Sequence, residues 1–467
     1  MKQPDPQANL GEVIVAQQVI TSQLEPKRAR AIVLLLAGSV ALMMTGFGII
    51  MPVFARRLSE FGDGVEALGL MTMAFALAQM IASPIIGSMA DKYGRRPIIL
   101  LSLGAFVLTN IGYLLAQSTN VFILIRAAGG FFTAGLFPAA MGVVADTIPE
   151  ENRGRWIGVI MSGYGIGFIF GPVLGGFLYD NWGFAMPFSS SAVLGGLALA
   201  AALMLIPETR THTLRLREAL LVRRKMAFRS RQGISFWDTM PKPLYIFGIL
   251  LLIEFAVTFA FAFIEPEMVF YVYDVAGWST MEFGMAVGIY GLTMVLGQTL
   301  LGQLSDRFGR KLMIVVGIIL NAALYFGLTY FTEFSLIVVA AGVSGFGKAL
   351  IDPAINAFYL DITAPEHRSR VVGIKGSALS LSGVLGPLLV VFASGRFSSL
   401  AIFLSAGVLM LVNGLIAAVV LREPANAQTS EAIDWEIAEQ RGKTAVATLQ
   451  GLVMNAASIR KARLSNR

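Results

Sequence analysis

The sequence predicts an all-α integral membrane protein with twelve transmembrane helices arranged as two six-helix bundles. Hydrophobic residues make up 56% of the chain, and the mean hydropathy of +0.71 lies outside the usual range of soluble proteins. Twelve apolar runs have the length of about 20 residues that a helix needs to cross a bilayer. Because the bilayer offers no water to bare backbone groups, these runs should be helical, and the alternating segments of a membrane β-barrel are absent.

The apolar runs define the predicted domains in chain order. A polar tail covers residues 1–30, a first bundle 31–206, a central loop 207–243, a second bundle 244–420 and a second tail 421–467. We number the predicted spans 1 to 12, and they cover residues 31–55, 66–88, 97–116, 120–143, 156–179, 187–206, 244–268, 281–304, 312–331, 335–360, 371–394 and 400–420. The first tail lacks the short apolar core of a cleaved signal, so span 1 should act as an uncleaved anchor.

Basic residues are unevenly distributed among the connections between spans. The connections that follow even-numbered spans hold 19 Lys and Arg residues, whereas those that follow odd-numbered spans hold three. Since Lys and Arg accumulate on the cytoplasmic side of membrane proteins, both termini and the central loop should be cytoplasmic, with the chain in the inner or plasma membrane of the cell. This topology also explains the net charge of +7 without a nucleic-acid partner.

Missing residue types exclude several chemistries. The chain has no cysteine, and its two histidines, His212 and His367, lie far apart, which argues against disulfides, thiol catalysis and a metal site. The stretch "GVSGFGKA" at 342–349 comes close to a phosphate-binding loop, but it ends in Ala349 and lies in an apolar span. We therefore expect no catalytic residue and no cofactor, and an ion gradient as the energy source.

A duplication relates the two predicted bundles. Shifting the chain by 215 residues aligns charged residues, glycines and prolines in four separate motifs. In the connections after spans 2 and 8, the aligned pairs are Gly87 with Gly302, Asp91 with Asp306, Gly94 with Gly309, Arg95 with Arg310 and Arg96 with Lys311. The same shift aligns Asp146 with Asp361 and Gly171–Pro172 with Gly386–Pro387. Two copies in the same orientation are the parallel-repeat plan of two-bundle transporters.

The stretch "GSMADKYGRRP" at residues 87–97 carries a family resemblance. It is similar to the loop motif G-x-x-x-D-[RK]-x-G-R-[RK] of the major facilitator superfamily, and its second copy is "GQLSDRFGRKL" at 302–312. The resemblance extends over essentially all of 31–420. It implies two bundles related by a pseudo-twofold axis, with a substrate site between them at mid-membrane.

The two loop motifs contain an acid that membrane topology does not require. The arginines favour the cytoplasmic side, and the glycines allow a tight reversal of the chain. The resemblance implies that the acid crosses to the other bundle, holds the outward-open state and releases it when the cytoplasmic side opens. We expect Asp91 near 370–373 at the start of span 11, and Asp306 near 155–158 at the start of span 5. The alternative is that these loops only determine topology.

Span 5 contains a complete glycine motif. Its pattern G-x8-G-x3-G-P-x2-G-G is occupied by Gly158, Gly167, Gly171, Pro172, Gly175 and Gly176. Small residues let two helices approach closely, and a generic packing stripe is one interpretation. The pattern also resembles the antiporter motif of drug:proton exporters, and this resemblance implies dry packing against the opposite half.

Charged residues inside the spans are candidates for coupling or binding, because each costs roughly 2.5–3.5 kcal/mol at the bilayer centre. Arg126 resembles the arginine of the R-x-x-Q-G motif in span 4, although Gly129 replaces the glutamine. The resemblance implies a part in proton transfer through a neighbouring acid, and a structural arginine that bonds helix carbonyls is the alternative. We expect solvent around Glu265 and Glu267, and we expect Lys375 to extend to the nearby membrane surface.

Glu254, Lys348 and Asp352 are further intramembrane charges. Lys348 and Asp352 are four residues apart on one helix face, so they are expected either to neutralise each other or to contribute to function. In the functional interpretation Glu254, and Asp352 with it, exchanges protons with the substrate or attracts a cationic drug.

These features together predict a twelve-span transporter that works by alternating access. It most resembles the drug:proton antiporters of the superfamily, with a cavity lined by spans 1, 2, 4, 5, 7, 8, 10 and 11. The expected partners are a small amphipathic molecule, protons and the lipid bilayer, and we expect a monomer. A proton symporter that imports a sugar or metabolite is the nearest alternative, and a membrane sensor that binds without transport is the second.

Overall fold

The computed structural model describes residues 26–209, 240–301, 308–364 and 367–422. Within these ranges it contains twelve helical spans that are long and apolar enough to cross a membrane, and no β-strand is assigned there. The predicted fold class is therefore confirmed. The first predicted span begins earlier than its apolar run, at Pro26, because Lys and Arg are good helix formers and continue the helix outward.

The first bundle contains spans 1 to 6 and one short extra helix. Span 4 is broken into two helices at Ala134 and Gly135, and the extra helix, Val53–Glu60, lies between spans 1 and 2. The bounds are Pro26–Ile50 for span 1, Val65–Tyr93 for span 2, Arg95–Leu115 for span 3, Thr119–Thr133 and Leu136–Thr147 for span 4, Glu150–Trp182 for span 5 and Ala185–Leu205 for span 6.

The second bundle contains spans 7 to 12. Span 7 ends in a π-helical turn, Tyr271–Val275, and span 9 is broken at Ala322. The bounds are Leu244–Phe270 for span 7, Thr280–Leu301 for span 8, Arg310–Asn321 and Ala323–Tyr330 for span 9, Phe334–Asp361 for span 10, Arg368–Ala393 for span 11 and Ser399–Val420 for span 12.

The helix ends form two faces of the molecule. Gly94 joins spans 2 and 3 at one end of the molecule, and span 9 begins after Gly309 at the same end. We call this end the basic face. The other end, the opposite face, holds the connections 51–64, 116–118, 183–184, 276–279, 331–333 and 394–398. These connections are short, so consecutive helices run antiparallel and neighbouring helices pack along their length.

The two bundles repeat the same geometry at the basic face. Gly94 and Gly309 precede spans 3 and 9 with φ angles of 116° and 91°, in a region that favours glycine. Directly after them, Arg95 Nε lies 3.5 Å from Asp146 Oδ2, and Arg310 Nε lies 3.3 Å from Asp361 Oδ2. Each arginine thus ties the start of one span to the end of the next, and the shift of 215 residues holds for backbone and side chains alike.

The two bundles meet along two pairs of spans, span 2 with span 11 and span 5 with span 8. Near the opposite face the contact is tight, since a Cβ added to Gly69 would lie 3.2 Å from the Pro387 carbonyl oxygen. Toward the basic face, a Cβ added to Gly158, Gly373 or Gly376 would meet no atom of the described chain within 4 Å. Among the residues that the structure describes, the bundles are therefore closed at the opposite face and separated at the basic face.

Candidate functional site

The closure at the opposite face rests on polar contacts between the bundles. Arg56, on the short helix after span 1, donates from Nη2 to the Trp278 carbonyl oxygen at 2.7 Å. Its guanidinium also lies 3.9 Å from the centre of the Tyr273 ring. The Tyr273 hydroxyl in turn donates to the Pro52 carbonyl oxygen at 2.7 Å. The two bundles are thus joined by hydrogen bonds in addition to apolar packing.

At the basic face, the loop residue Asp91 pairs within its own bundle. Its Oδ1 lies 2.7 Å from Arg95 Nη1, and its side chain is 59% exposed. In the expected partner region at the start of span 11, a Cβ on Gly373 would meet no atom of the described chain within 4 Å. A contact between Asp91 and span 11 belongs to a conformation that is closed at the basic face, so it stays a prediction.

Other loop residues have local roles or lie outside the described residues. Arg96 donates from Nη2 to the Leu203 carbonyl oxygen at 2.7 Å, which ties the loop to the end of span 6. No atom of the described chain lies within 4 Å of a Cβ built on Gly87. Lys311 is the second residue of span 9. Gly302 and Asp306 lie outside the described residues, and so does the expected contact of Asp306 with span 5.

The glycine motif of span 5 faces two different helices. A Cβ on Gly171 would lie 2.7 Å from the Thr45 carbonyl oxygen in span 1, and the spaces beside Gly167 and Gly175 are likewise occupied by span 1 backbone. Packing of the whole motif against the opposite half is therefore wrong for these three glycines. Pro172 and Gly176 contact span 8 instead, because a Cβ on Gly284 would overlap the Pro172 carbonyl oxygen and Gly176 meets the backbone of Met281. The helical period explains this division, because residues four apart share one face.

Arg126 lies in an aromatic cage in the first bundle. The guanidinium carbon is 4.1 Å from the Phe75 ring centre and 4.8 Å from those of Phe47 and Phe54. Arg126 Nε has no hydrogen-bond partner in the described part of the chain, and the alternative of a structural arginine stays open. Arg126 also interacts electrostatically with Glu265 of span 7, in the other bundle. The arginine is thus held by π faces, and its charge acts on a carboxylate of the other bundle.

Glu254 forms a buried ion pair with Lys375. The Glu254 side chain is 8% exposed, and its Oε1 lies 2.8 Å from Lys375 Nζ. Lys375 also donates to Asn356 Oδ1 at 2.5 Å, and the Tyr359 hydroxyl lies beside the Glu254 carboxylate without hydrogen-bond geometry. The expected extension of Lys375 to the membrane surface is wrong, because an inward-facing carboxylate binds it more favourably. This cluster joins spans 7, 10 and 11.

Lys348 and Asp352 form the ion pair that their spacing predicts. Lys348 Nζ lies 2.5 Å from Asp352 Oδ1, and Gln298 of span 8 is 3.5 Å from Asp352 Oδ2. Asn356 and Tyr359 are not among the site residues predicted from the sequence, although the sequence contains a signal for them. Together with Lys348 and Asp352 they form a polar stripe on span 10 with spacings of four, four and three residues.

The glutamates at the end of span 7 are less solvated than expected. Glu267 is 8% exposed, and its Oε1 accepts a hydrogen bond of 2.6 Å from Ser399 Oγ at the start of span 12. Glu265 is half-buried and interacts electrostatically with Arg126. The expectation of solvent around both residues is wrong because span 7 continues as a helix past Pro266 and remains inside the second bundle.

A small apolar cavity of about 70 Å³ lies near the closed opposite face. Residues of both bundles line it, including Met51 and Phe168 from the first and Phe261, Phe283 and Tyr290 from the second. Aromatic and methionine side chains adapt to ligands of different shape. This cavity, Arg126 and the two ion pairs are the candidate substrate and coupling site.

Comparison with known proteins agrees with this architecture. The sequence profile of the Major Facilitator Superfamily matches residues 36–279 and 250–459. The chain is 26% identical to Multidrug resistance protein 2 of Bacillus subtilis (strain 168) over 85% of this chain and 96% of the relative. It is 28% identical to the class C Tetracycline resistance protein of Escherichia coli over 78% of this chain and 89% of the relative.

A solved structure shares the fold. It is a bacterial homologue of the human lysosomal transporter Spinster in an inward-facing, occupied conformation, with a TM-score of 0.65 and 18% identity. The alignment covers 85% of this chain and 96% of that structure. The family and these relatives point to a multi-pass membrane transporter of small molecules. The duplicated loops, the twelve spans and the profile match lead to one conclusion: the chain belongs to the Major Facilitator Superfamily.

Proposed function

We propose that the chain is a secondary active transporter that exports small amphipathic molecules in exchange for protons, by alternating access. The observation that carries this proposal is the buried ion pair of Glu254 with Lys375. Burying two charges costs free energy that their attraction offsets only with good geometry, so such pairs are retained for a task. A carboxylate that accepts a proton releases its lysine, and this links proton binding to the packing of spans 7, 10 and 11.

The second support is the electrostatic contact between Arg126 and Glu265. These residues belong to different bundles, so their separation changes when the bundles move relative to each other. An arginine keeps its proton in proteins, which leaves Glu265 as the member that can bind and release one. Proton exchange at this contact would therefore depend on which face of the transporter is closed.

The orientation in the membrane follows from the excess of basic residues. We assign the basic face to the cytoplasm of the inner or plasma membrane, because Lys and Arg are retained on that side. The described conformation is then closed to the outside and open to the cytoplasm. An exported molecule enters in this state, and we place its apolar part against the aromatic residues that line the cavity near the closed face. We further propose that one chain is the transporting unit, because its two bundles form both the cavity and the closed face.

Transport by purified protein in liposomes tests the proposal. Tetraphenylphosphonium, a neutral aromatic dye and a sugar are offered with and without an imposed pH gradient. We expect the cation or the dye to accumulate in the compartment from which protons flow out. Accumulation in the same direction as proton flow would indicate a symporter, and measurable binding without flux would indicate a sensor. The Glu254→Gln variant should bind the compound but lose the response to the gradient.

A further inference from the structure

Asp180 connects the end of span 5 to the beginning of span 8. Its Oδ1 accepts a hydrogen bond from the Thr280 amide at 3.2 Å, and its Oδ2 accepts one from the Met281 amide at 2.8 Å. Thr280 and Met281 are the first two residues of span 8. Because span 5 belongs to the first bundle and span 8 to the second, one carboxylate bonds to two main-chain N–H groups across the interface.

Span 8 already has a local cap, so Asp180 is an addition. The Ser279 amide donates to Glu282 Oε2 at 2.8 Å, and the Glu282 amide donates to Ser279 Oγ at 3.1 Å. This reciprocal capping box satisfies two of the free N–H groups at a helix start. The amides of Thr280 and Met281 remain, and these two N–H groups donate hydrogen bonds to the Asp180 carboxylate. The negative charge is also favoured by the positive end of the helix dipole.

The surrounding contact brings the two backbones together. Gly176 lies one turn before Asp180, and a Cβ there would overlap the backbone of Thr280 and Met281. One turn further along span 8, a Cβ on Gly284 would overlap the Pro172 carbonyl group. Toward the basic face the close contact ends, because a Cβ on Gly158 would meet no atom of the described chain within 4 Å. The Asp180 contact therefore lies at the outermost point of a seam that is closed only near the opposite face.

We propose that Asp180 is a positioning residue that holds the opposite face closed by bonding to the start of span 8. Its hydrogen bonds must break when that face opens, and water then solvates the freed amides. The same arrangement is predicted for Asp91 and the start of span 11 at the basic face. Two carboxylates at the ends of spans 2 and 5 would then close the two faces in turn. This inference goes beyond the proposed function, since it requires neither a proton nor a particular substrate.

Thiol labelling in nanodiscs tests the proposal in the full-length chain, which has no cysteine of its own. An Ala286→Cys reporter is placed in span 8, where Ala286 is 7% exposed and lines the cavity between the bundles. A Ser377→Cys reporter is placed at an exposed position of span 11 near the basic face. In the Asp180→Ala background we expect maleimide labelling at 286 to rise on the order of tenfold, as for the loss of a charge-assisted hydrogen bond. Labelling at 377 should fall.

Two controls make the result specific. Asp180→Asn keeps one acceptor oxygen and should give an intermediate rise at position 286. Asp274→Asn removes an exposed acid of the same face and should leave both reporters unchanged. Unchanged labelling at 286 in Asp180→Ala would overturn the proposal, and a rise at both reporters would also overturn it by indicating general loss of structure. Because no transport is measured, a failure of the export proposal leaves this test intact.

Discussion

The two bundles share a frame but differ inside it. Both have a positive-φ glycine and an arginine–aspartate pair at the basic face, namely Arg95 with Asp146 and Arg310 with Asp361. In the first bundle the interior charge is Arg126 in its aromatic cage. In the second bundle, Glu254 is part of a polar network of side chains. Duplication therefore preserved what builds the fold, whereas the candidate coupling chemistry became concentrated in one copy.

The largest expected effect comes from breaking the buried ion pair of the second bundle. Lys375→Met leaves Glu254 buried without its cation, and such losses typically cost about 3–5 kcal/mol in the free energy of unfolding. We expect a clearly lower apparent Tm in detergent. The double variant Glu254→Gln with Lys375→Met should recover most of the Tm, yet show no transport response to a pH gradient. A single variant as stable as the parent would contradict the importance of this pair.

A smaller effect is expected from overfilling the span 1 contact of the first bundle. Gly171→Ala places a methyl group 2.7 Å from the Thr45 carbonyl oxygen, and overpacking of this kind costs about 1–3 kcal/mol. The matched control is Gly196→Ala in span 6, where no described atom lies within 4 Å of the added group. Apparent Tm values distinguish the two, and equal values would show that span 5 yields to the added methyl group.

The shared frame can be tested by paired substitutions at its two copies. Arg95→Gln removes the partly buried pair to Asp146, and Arg310→Gln removes the pair to Asp361, each worth about 1 kcal/mol. Arg95→Gln also removes the pair to Asp91, which adds little because the Asp91 side chain is 59% exposed. Since the two geometries agree within 0.2 Å, from 3.5 to 3.3 Å, we expect the two losses in Tm to be similar. A large loss at one site and none at the other would show that the copies have diverged in energy as well as in sequence.

The smallest effect on stability is expected at the exposed loop acid. Asp91→Asn should leave the apparent Tm unchanged, because the Asp91 side chain is 59% exposed. Transport should nevertheless fall at least tenfold if Asp91 closes the basic face in the other conformation. Flux in liposomes measures this, with Asp274→Asn as the control for a lost exposed acid. Full transport by Asp91→Asn would leave the loop with a topological role only.

The amino-acid sequence predicts the fold more completely than it predicts the site. Hydropathy gave the twelve spans, because a bilayer forces continuous apolar helices, and the 215-residue shift gave the repeat. Neither hydropathy nor the repeat identifies which side chains contact each other across helices. From its position near a membrane surface, Lys375 could equally be solvated or form an ion pair with Glu254. Only the packing of spans 7, 10 and 11 decides between these two environments.

The glycine motif shows the same limit in another way. The spacing of Gly167, Gly171 and Gly175 indicates close helix packing, which the structure contains. The spacing alone does not say which helix is the neighbour, and the neighbour is span 1 of the same bundle. Conversely, no sequence pattern marks Asp180, because its partners are main-chain groups, which carry no residue-specific signal.

That feature of Asp180 has a consequence for how such transporters vary. Its partners are the amides of Thr280 and Met281, which every residue except proline provides. Substitutions at the start of span 8 can therefore occur during evolution without loss of the contact. Among related chains, an acid at position 180 would persist while position 281 changes and the buried position 280 varies among small residues. No covarying pair would then reveal that the two helices are joined.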